Sequence, residues 1–526
     1  MSRWPDALRR APPRWWEEQP PGFDVVRALS IETPALARRS WDRPALRQLR
    51  HLRLRLDALG PGAETFFRTS RLVQLQRLDL VGPAPLGFDF RRLSESCWLP
   101  GLTRLRWSDI EVGPDLHGWS STLRRLEALE MDDVRFSDGA VRRLASVLKA
   151  DAPSVLHLRR PQWDGESSPM LLASDVFRRV VELSLVGCGL EDRSARGLAF
   201  ALETDALLQL DLGDNPLSDT SWRRLTDRLR FPVATHLGLA GCHRLETAPG
   251  LSHSSFPVLR SLDLTDVPTG GTAGWARDPA LLANLESLAV AGAPGLASWF
   301  QGLSDGRLAR LERLRACPQS LDGLGLARLA GAAPRLREVE VPGCRATLGG
   351  WIALLHRRPA RVLDVSGSED ADDLMDFLAR WPERGALRVL RVRRLGASAL
   401  SERGFAALAD LAEGLTELDL GGQPFDCAAD ALRRGHWHPH RLRLSGCRFG
   451  PRLRRAMIES GILQGVRELW LDGCGLGRDE VASLAAHAPW LETLFVDLDA
   501  ARSWQDELQD QFPTVRLLPV DGGRGR

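Results

Sequence analysis

The residues best suited to chemistry in this sequence are three histidines spaced two apart, His436, His438 and His440, in a His-Trp-His-Pro-His segment. Alternating residues of an extended segment point to the same side, so two of these imidazoles could bind a metal ion together. The nearest cysteines are Cys427, outside the repeat pattern described below, and Cys447, at a position that we expect to be buried. We therefore interpret the segment as a polar loop and predict neither a metal site nor a cofactor, with weak metal binding as the alternative.

Sequence signatures of common catalytic sites are missing. The single lysine, Lys149, is followed by alanine, so the chain has no G-K-[ST] phosphate-binding loop. Neither H-E-x-x-H nor G-x-S-x-G occurs, and the eight cysteines include no C-x-x-C pair. A catalytic cysteine would need a neighbouring histidine and an open cleft. The sequence therefore predicts a protein that is not an enzyme and has no small-molecule substrate.

Composition restricts the partner and the location. The 526-residue chain is 44% hydrophobic and 26% charged, and its net charge of +2 gives no reason to expect nucleic acid as the partner. Tyrosine is absent and asparagine occurs only as Asn215 and Asn284, which we interpret as the codon bias of a GC-rich, bacterial genome. No segment has the pattern of a signal peptide or a membrane span, so we expect a cytoplasmic protein without a membrane partner.

The pattern L-x-x-L-x-L recurs along nearly the whole chain and predicts the fold. From Leu52 to Leu494, the middle apolar residues mark about 18 repeats of about 26 residues. In each repeat the L-x-L alternation predicts a strand with its leucines turned inward. The stretches 138–148, 192–202, 401–411 and 479–486 have apolar residues at helical spacing. Because a strand and a helix cannot bury their apolar faces alone, the repeats must stack into a parallel sheet covered by helices.

A small or polar residue stands three positions after the last strand leucine, where the chain must turn away from the sheet. These residues are Cys188, Asn215, Cys242, Cys344, Cys447 and Cys474. A small donor at this position can satisfy backbone carbonyl groups inside the turn.

Residues 181–190 (VELSLVGCGL) and 466–476 (VRELWLDGCGL) resemble the ribonuclease-inhibitor subclass of leucine-rich repeats. The similarity covers about residues 46 to 520. It implies an α/β solenoid curved like a horseshoe, with a parallel sheet on the concave face, helices and loops on the convex face, and a binding role without chemistry. It weakens in the proline- and glycine-rich stretches 81–100, 265–282 and 292–307, where we expect loops or short turns instead of the outer helix.

We divide the chain into an N-terminal cap at 1–45, a repeat array at 46–500, and a C-terminal cap and tail at 501–526. The first segment lacks the repeat and contains Trp4, Trp15, Trp16 and Trp41, which suits a terminal segment that covers the exposed edge of the core. At the other end, residues 501–512 predict a last helix and 514–518 a closing strand.

The side chains that flank the strand leucines should form the concave face, and their charges occur in blocks. The first strands carry His51, Arg53, Arg55, Arg77, Arg104 and Arg106, with Trp107 beside them. Later strands carry Arg391, Arg393, Glu417, Asp419, Arg441, Arg443, Glu468, Trp470, Asp472, Phe495 and Asp497. Two interpretations stay open. The blocks match the charge pattern of a partner, or neighbouring opposite charges pair across strands about 4.8 Å apart.

Trp470 and Phe495 occupy equivalent positions on consecutive strands, where a solvated face has no need of large aromatic side chains. Aromatic residues surrounded by acidic ones are typical of interface hot spots, and the alternative is packing against the C-terminal cap. We predict partner-binding residues at Trp470, Phe495, Glu468, Asp472 and Asp497 and at the arginines Arg391, Arg393, Arg441 and Arg443. The N-terminal arginines Arg53, Arg55, Arg77, Arg104 and Arg106, with Trp107, are a second candidate.

The predicted function is a protein-binding scaffold or inhibitor, monomeric or part of a hetero-complex, with a protein as its partner. One alternative is a GTPase regulator, since the Ran GTPase-activating protein is similar in having repeats of this subclass, and Arg391 or Arg393 could contact a nucleotide phosphate. Another is a bacterial effector or defence component that recognises a host or phage protein. A third is nucleic-acid binding through the N-terminal arginines, against which the acidic residues near the C-terminus argue.

Overall fold

The computed structural model describes residues 28–31, 49–56, 72–83, 96, 99–114, 116–137, 139–149, 153–163, 167–248, 250–268, 274–292, 296–316, 321–344, 346–356, 358–395, 399–512 and 515–520. The described chain forms two compact units, of which the first ends at Leu281 and the second begins at Leu282. The four tryptophans predicted to form an N-terminal cap lie outside the described residues.

The first unit contains a parallel sheet built from the L-x-L segments. Its strands are β1 (Ala28–Ile31), β2 (His51–Arg55), β3 (Arg77–Val81), β4 (Arg104–Ser108), β5 (Glu111–Val112), β6 (Ala128–Asp132), β7 (Arg135–Phe136), β8 (Val155–Arg159), β9 (Glu182–Val186), β10 (Gln209–Asp211), β11 (His236–Gly238) and β12 (Ser261–Asp263). Apart from β5 and β7, which pair with each other, these strands lie side by side in chain order. The register places the predicted middle leucines beside one another, as with Leu52 and Leu78.

The second unit has a sheet of the same kind. Its strands are β13 (Ser287–Val290), β14 (Arg313–Ala316), β15 (Glu338–Glu340), β16 (Val362–Asp364), β17 (Val389–Arg391), β18 (Glu417–Asp419), β19 (Arg441–Arg443), β20 (Glu468–Trp470), β21 (Thr493–Asp497) and β22 (Arg516–Val520). Consecutive strands are parallel and hydrogen-bonded. The last one, β22, is the predicted closing strand.

Helices follow the strands along the chain. They are α1 (Ser120–Leu123), α2 (Ala140–Leu148), α3 (Ser167–Leu172), α4 (Asp192–Ala201), α5 (Asp219–Arg228), α6 (Gly274–Arg277), α7 (Pro279–Asn284), α8 (Leu296–Gln301), α9 (Gly323–Ala332), α10 (Leu348–Leu355), α11 (Ala371–Arg380), α12 (Glu402–Leu411), α13 (Ala429–Arg434), α14 (Pro451–Glu459), α15 (Arg478–Ala486) and α16 (Leu498–Gln511). Side-chain caps fix several starts: Ser218 Oγ accepts the Ser221 N–H at 3.2 Å, and Asp322 Oδ1 accepts the Gly325 N–H at 2.7 Å. The helices predicted from the sequence are confirmed, and their ends differ from the predicted ones by a few residues. In the stretches 265–282 and 292–307, α6, α7 and α8 are short helices where loops or short turns were expected.

Strand leucines and one face of each longer helix are buried together and form the core of each unit. In both units the chain thus has the predicted α/β leucine-rich-repeat fold, with a parallel sheet and successive helices that pack against each other. None of the described helices is long and apolar enough to cross a membrane.

Trp107 belongs to the core, so the prediction that it stands on the exposed face beside the N-terminal arginines is wrong. Its side chain is 0% exposed and packs edge-on against Trp119, with ring centroids 5.6 Å apart. The reason is the two-residue alternation of β4, in which Trp107 follows the inward Leu105 by two residues and takes the place of the second inward leucine.

The turns after several strands are held by the residues that the sequence placed there. Asn215 Nδ2 donates hydrogen bonds to the carbonyl oxygens of Leu185 at 2.6 Å and Leu212 at 2.8 Å. The thiols of the buried cysteines at this position donate in the same way to carbonyl oxygens of the preceding repeat: Cys188, Cys242, Cys344, Cys447 and Cys474. Gln423, which the sequence analysis did not include, donates to Val392 at 2.7 Å from the equivalent position.

Candidate functional site

Three side chains of each repeat face away from the core: the two that flank the middle leucine, and the one two positions further on. We call the surface that they form in each unit the exposed sheet face. In β20 and the residues after it, these are Glu468, Trp470 and Asp472. The register places Glu468 beside Thr493 and Trp470 beside Phe495. Residues at equivalent positions of successive repeats therefore form rows that run across the strands.

Arg391 is held between two carboxylates of the exposed sheet face. Its Nη1 lies 2.5 Å from Glu340 Oε2, on the far side of the intervening strand β16, and its Nε donates to Glu417 Oε1 at 3.1 Å. Burial disfavours the charge of Arg391, but the two carboxylates outweigh this effect and raise its pKa above the ordinary value. The arginine is therefore charged and neutralised in place.

Arg393 lies between two buried aspartates, Asp364 at 3.4 Å and Asp419 at 3.8 Å. Each aspartate also accepts the backbone N–H two residues further on, at 3.0 Å, which fixes the carboxylates in the turn. Burial dominates at Asp419 and raises its pKa, although Arg393 and Arg443 act in the opposite direction.

Arg441 bridges two glutamates on the strands at either side of it. Its Nη1 lies 3.7 Å from Glu417, and its Nε lies 3.2 Å from Glu468. Three of the four C-terminal arginines thus have carboxylate partners within the sheet. The interpretation that opposite charges pair across strands is confirmed in this part of the face, and a role of these arginines in partner binding stays a prediction.

Trp470 and Phe495 stack on each other, with ring centroids 4.1 Å apart and planes inclined by 5°. On the other side of the indole, the guanidinium carbon of Arg443 lies 4.4 Å from the Trp470 ring centroid. Next to Phe495 in the register stands Leu518 of β22, so the C-terminal cap extends this row, and both rings remain partly exposed. We call Arg443, Trp470, Phe495 and Leu518 the aromatic row. Since its rings stand parallel to each other and face along the row, their edges are the part that reaches solvent.

Two aspartates lie beside the aromatic row, two residues further along the strands. Asp472 Oδ1 accepts a hydrogen bond from Ser445 Oγ at 2.7 Å, and Asp497 Oδ1 accepts the Gly473 N–H at 2.8 Å. Within the described part of the chain, neither carboxylate has an arginine, lysine or histidine within ion-pairing distance. Among the described residues, these two aspartates are thus not ion-paired, in contrast to the paired acids on the preceding strands.

The N-terminal basic patch contains a carboxylate that the sequence analysis left out. Asp79 of β3 is buried, accepts a hydrogen bond from Arg77 Nε at 2.9 Å, and lies 2.9 Å from His51 Nε2. Burial disfavours the charge of Asp79, but these hydrogen bonds outweigh it and lower the pKa of its carboxyl.

Further along the same face, Arg106 lies 2.6 Å from Asp132, which is also 4.0 Å from Arg159. Arg53 and Arg55 are half-buried on β2, and Arg104 is exposed on β4. The patch thus carries less positive charge than its arginines alone suggest.

The histidine segment is exposed on one side only. His436, His438 and His440 are exposed, and Trp437 between them is buried and donates to Leu432 O at 3.0 Å. In the part of the chain that the structure describes, no group of three His, Cys, Asp or Glu side chains is placed to hold a metal ion.

The thiols at the turn position are buried. Burial raises the pKa of Cys242 to about 11 and that of Cys344 and Cys474 to about 12, and it raises the pKa of Cys188 and Cys447 as well. A thiol with so high a pKa is almost never the reactive thiolate near neutral pH, so these cysteines hold turns and are unsuited to nucleophilic chemistry.

The sequence analysis identified the aromatic and acidic residues of the second unit, but it missed how they are joined. Continuing the repeat one step beyond Leu494 would have reached Leu517 and so placed Leu518 beside Phe495. The contact between Arg443 and Trp470 follows from the same alignment, because the register pairs these two residues directly.

No protein-family model matches the chain, and neither does any of the curated proteins. Two solved structures to which it is similar are the complex of Rad7 and Elc1 in yeast and the LRR ectodomain of the plant membrane receptor kinase GASSHO1/SCHENGEN3 from Arabidopsis thaliana, in complex with CASPARIAN STRIP INTEGRITY FACTOR 2. The first is 17% identical over 61% of this chain and 77% of the other, with a TM-score of 0.39. The second is 14% identical over 90% of this chain and 59% of the other, with a TM-score of 0.32. The assignment of the fold rests on this chain's own strands and helices.

Proposed function

We propose that this chain is a non-enzymatic protein-binding module whose partner contacts the exposed sheet face of the second unit around Trp470 and Phe495. The observation that carries the proposal is the stacked pair of partly exposed rings on a face whose preceding strands carry paired charges. Aromatic side chains supply much of the binding energy at protein interfaces, and parallel strands hold these two in one fixed arrangement.

Absence of catalysis is part of the proposal. The turn thiols have raised pKa values, and Arg391 and Arg393 are already bound to carboxylates. The ion pairs of Arg391 and Arg393 engage the guanidinium groups that a GTPase regulator would need, so they do not favour that alternative. We further propose a ribonuclease-inhibitor-like repeat subclass, a bacterial source and a cytoplasmic location, on the repeat pattern and composition described above.

Affinity capture from a lysate of the source organism, followed by calorimetry with the purified partner, tests this function. The test variant is Trp470→Ala/Phe495→Ala. The matched control is Trp490→Ala, which removes a tryptophan of the same unit that is 64% exposed and lies outside the exposed sheet face. We expect wild type and control to bind one partner equally, and the double variant to bind it at least ~10-fold more weakly while keeping its circular dichroism spectrum. Equal binding by all three would refute the site, and no captured partner would refute the function.

A further inference from the structure

We infer that the partner presents an arginine side chain to Asp472 and Asp497, beside an apolar contact with the aromatic row. The inference rests on the proposed function and names the chemistry of the partner at the same site.

Arginines of this chain already show what such a site accepts. Arg391 bridges Glu340 and Glu417, which lie on different strands, and Arg441 does the same with Glu417 and Glu468. Arg393 likewise joins Asp364 to Asp419. On this face, an arginine between two carboxylates of separate strands is therefore a recurring arrangement. Asp472, just after β20, and Asp497, at the end of β21, are also carboxylates of separate repeats, but no strand lies between them to supply an arginine, and the described chain places none beside them.

Both carboxylates are fixed before any partner arrives. Ser445 Oγ and the Gly473 N–H each hold one oxygen of the pair, which leaves the second oxygen of each side chain available. Fixed acceptors lower the entropy lost on binding, and the planar guanidinium fork can donate to both carboxylates at once, which the single ammonium of lysine does less well.

The neighbouring arginines cannot take the place of the partner's arginine without breaking existing contacts. Arg441 is held by Glu417 and Glu468, and Arg443 lies over the Trp470 ring. Among the described residues, Arg441 and Arg443 therefore leave both aspartates without an ion pair.

The aromatic row adds the apolar half of the recognition. It lies two residues from the aspartates along each strand, or about 6.6 Å. Alternate side chains on one face of an extended peptide are separated by the same distance, so a segment with arginine and leucine two residues apart would fit both rows. The ring edges accept an apolar side chain, and an acidic segment would be repelled by the aspartates.

Fluorescence anisotropy with labelled peptides of defined sequence tests the inference on the full-length protein. In three peptides every second residue is glycine, and the residues between the glycines are alternately leucine and one charged residue, which is arginine, lysine or glutamate, so that leucine and the charged residue lie two positions apart on one face. We expect the arginine peptide to bind at least ~10-fold more tightly than the glutamate peptide, and the lysine peptide to lie between them. Equal affinities for the three peptides, or no binding of the arginine peptide at millimolar concentration, would overturn the inference.

Two variants localise the effect. Asp472→Asn/Asp497→Asn keeps the acceptor oxygens for Ser445 and Gly473 but removes two charges, and should weaken the arginine peptide ~10-fold or more. Asp410→Asn/Glu413→Gln removes the same charge from exposed residues at the end of α12 and after it, and should change the affinity less than ~2-fold. Equal losses in the two variants would show non-specific attraction, and no loss in the first would overturn the site.

Ser445→Arg provides a second approach that does not depend on removing acids. It places an arginine in the row of the aspartates, just after the neighbouring strand β19, and should block the peptide while preserving the fold. If the partner depends on Trp470 and Phe495 but binds Asp472→Asn/Asp497→Asn as it binds wild type, the proposed function stands and this inference is wrong. If the arginine peptide binds as expected but no protein partner requires the two rings, this inference stands and the proposed function is wrong.

Discussion

The side-chain amide of Asn215 donates a hydrogen bond to the carbonyl oxygen of Leu185, one repeat earlier, at 2.6 Å. Its Oδ1 accepts the N–H of Leu190 at 3.0 Å, and its Nδ2 also donates to the carbonyl oxygen of Leu212 at 2.8 Å, so one buried side chain satisfies backbone groups of two successive repeats. A cysteine at the equivalent position of the neighbouring repeats donates to the preceding carbonyl but has no second, strong acceptor. Asparagine at this position thus satisfies more backbone groups than cysteine does.

Replacing Asn215 by alanine should lower the free energy of unfolding of the first unit by about 2–3 kcal/mol, because it leaves buried backbone groups without partners. Asn215→Cys should cost about half as much, since a thiol restores the donor alone. Urea denaturation of both variants measures the difference. Gln209→Ala, which removes an exposed amide of the same unit, is the control and should change stability by less than about 0.5 kcal/mol. An alanine variant no less stable than this control would contradict the role of the side chain.

Gly475 tests the cost of backbone conformation without a change in packing. Its φ is +66°, and a Cβ atom added there would meet nothing within 4 Å, so an alanine would be strained but not crowded. We expect Gly475→Ala to destabilise the second unit by about 1 kcal/mol. Gly385 is also free of neighbours within 4 Å but has no positive φ, and lies in the 3₁₀ turn Arg384–Ala386 of the same unit. Gly385→Ala should be neutral or stabilise by up to about 1 kcal/mol, and similar effects of both substitutions would rule out the backbone explanation.

The fold was predictable because the same spacing of leucines recurs in nearly every repeat. Leucines at Leu207 and Leu210, or at Leu491 and Leu494, specify both the strand and its inward face, and stacking follows from the need to bury that face. The same alternation explains the error at Trp107, which was assigned to the exposed face because its neighbours are charged. Its spacing of two residues from the inward Leu105 predicts the buried position correctly.

Charge pairing on the exposed sheet face was harder to predict, because it depends on long side chains that reach beyond their own position. Arg391 contacts Glu340 two strands away, and nothing in the sequence distance between them indicates that contact. Asp79 was overlooked because it stands alone among basic residues, yet such an isolated carboxylate is the one most strongly held by them. The sequence therefore identifies which residues face outward, and side-chain geometry decides which of them remain unpaired.

Asp79 and Asp419 should give opposite dependences of stability on pH. Hydrogen bonds lower the pKa of Asp79 below its ordinary value of 3.8, so its contribution is present above that pH and is lost as the pH falls through the lower, folded value. Burial raises the pKa of Asp419, so its relative contribution is largest below 3.8 and is lost as the pH rises through the higher, folded value.

Thermal unfolding of wild type, Asp79→Asn and Asp419→Asn between pH 2.5 and 7 measures both effects. The advantage of wild type over Asp79→Asn should shrink below pH 3.8, whereas Asp419→Asn should gain on wild type as the pH rises above it. Parallel curves for wild type and either variant would contradict the assigned shift.

The buried turn cysteines should be unreactive in the folded protein. With a pKa of about 12 for Cys474, only ~1 in 10⁴ molecules would carry the thiolate at pH 8, and burial blocks the reagent as well. A variant with Cys97, Cys317 and Cys427 replaced by serine retains the five turn thiols, Cys188, Cys242, Cys344, Cys447 and Cys474. Ellman's reagent should label none of them in native buffer and all five in guanidinium chloride. Restoring the half-buried Cys427 tests whether the assay detects a less protected thiol, and rapid native labelling of the five would show that the turn position is open to solvent.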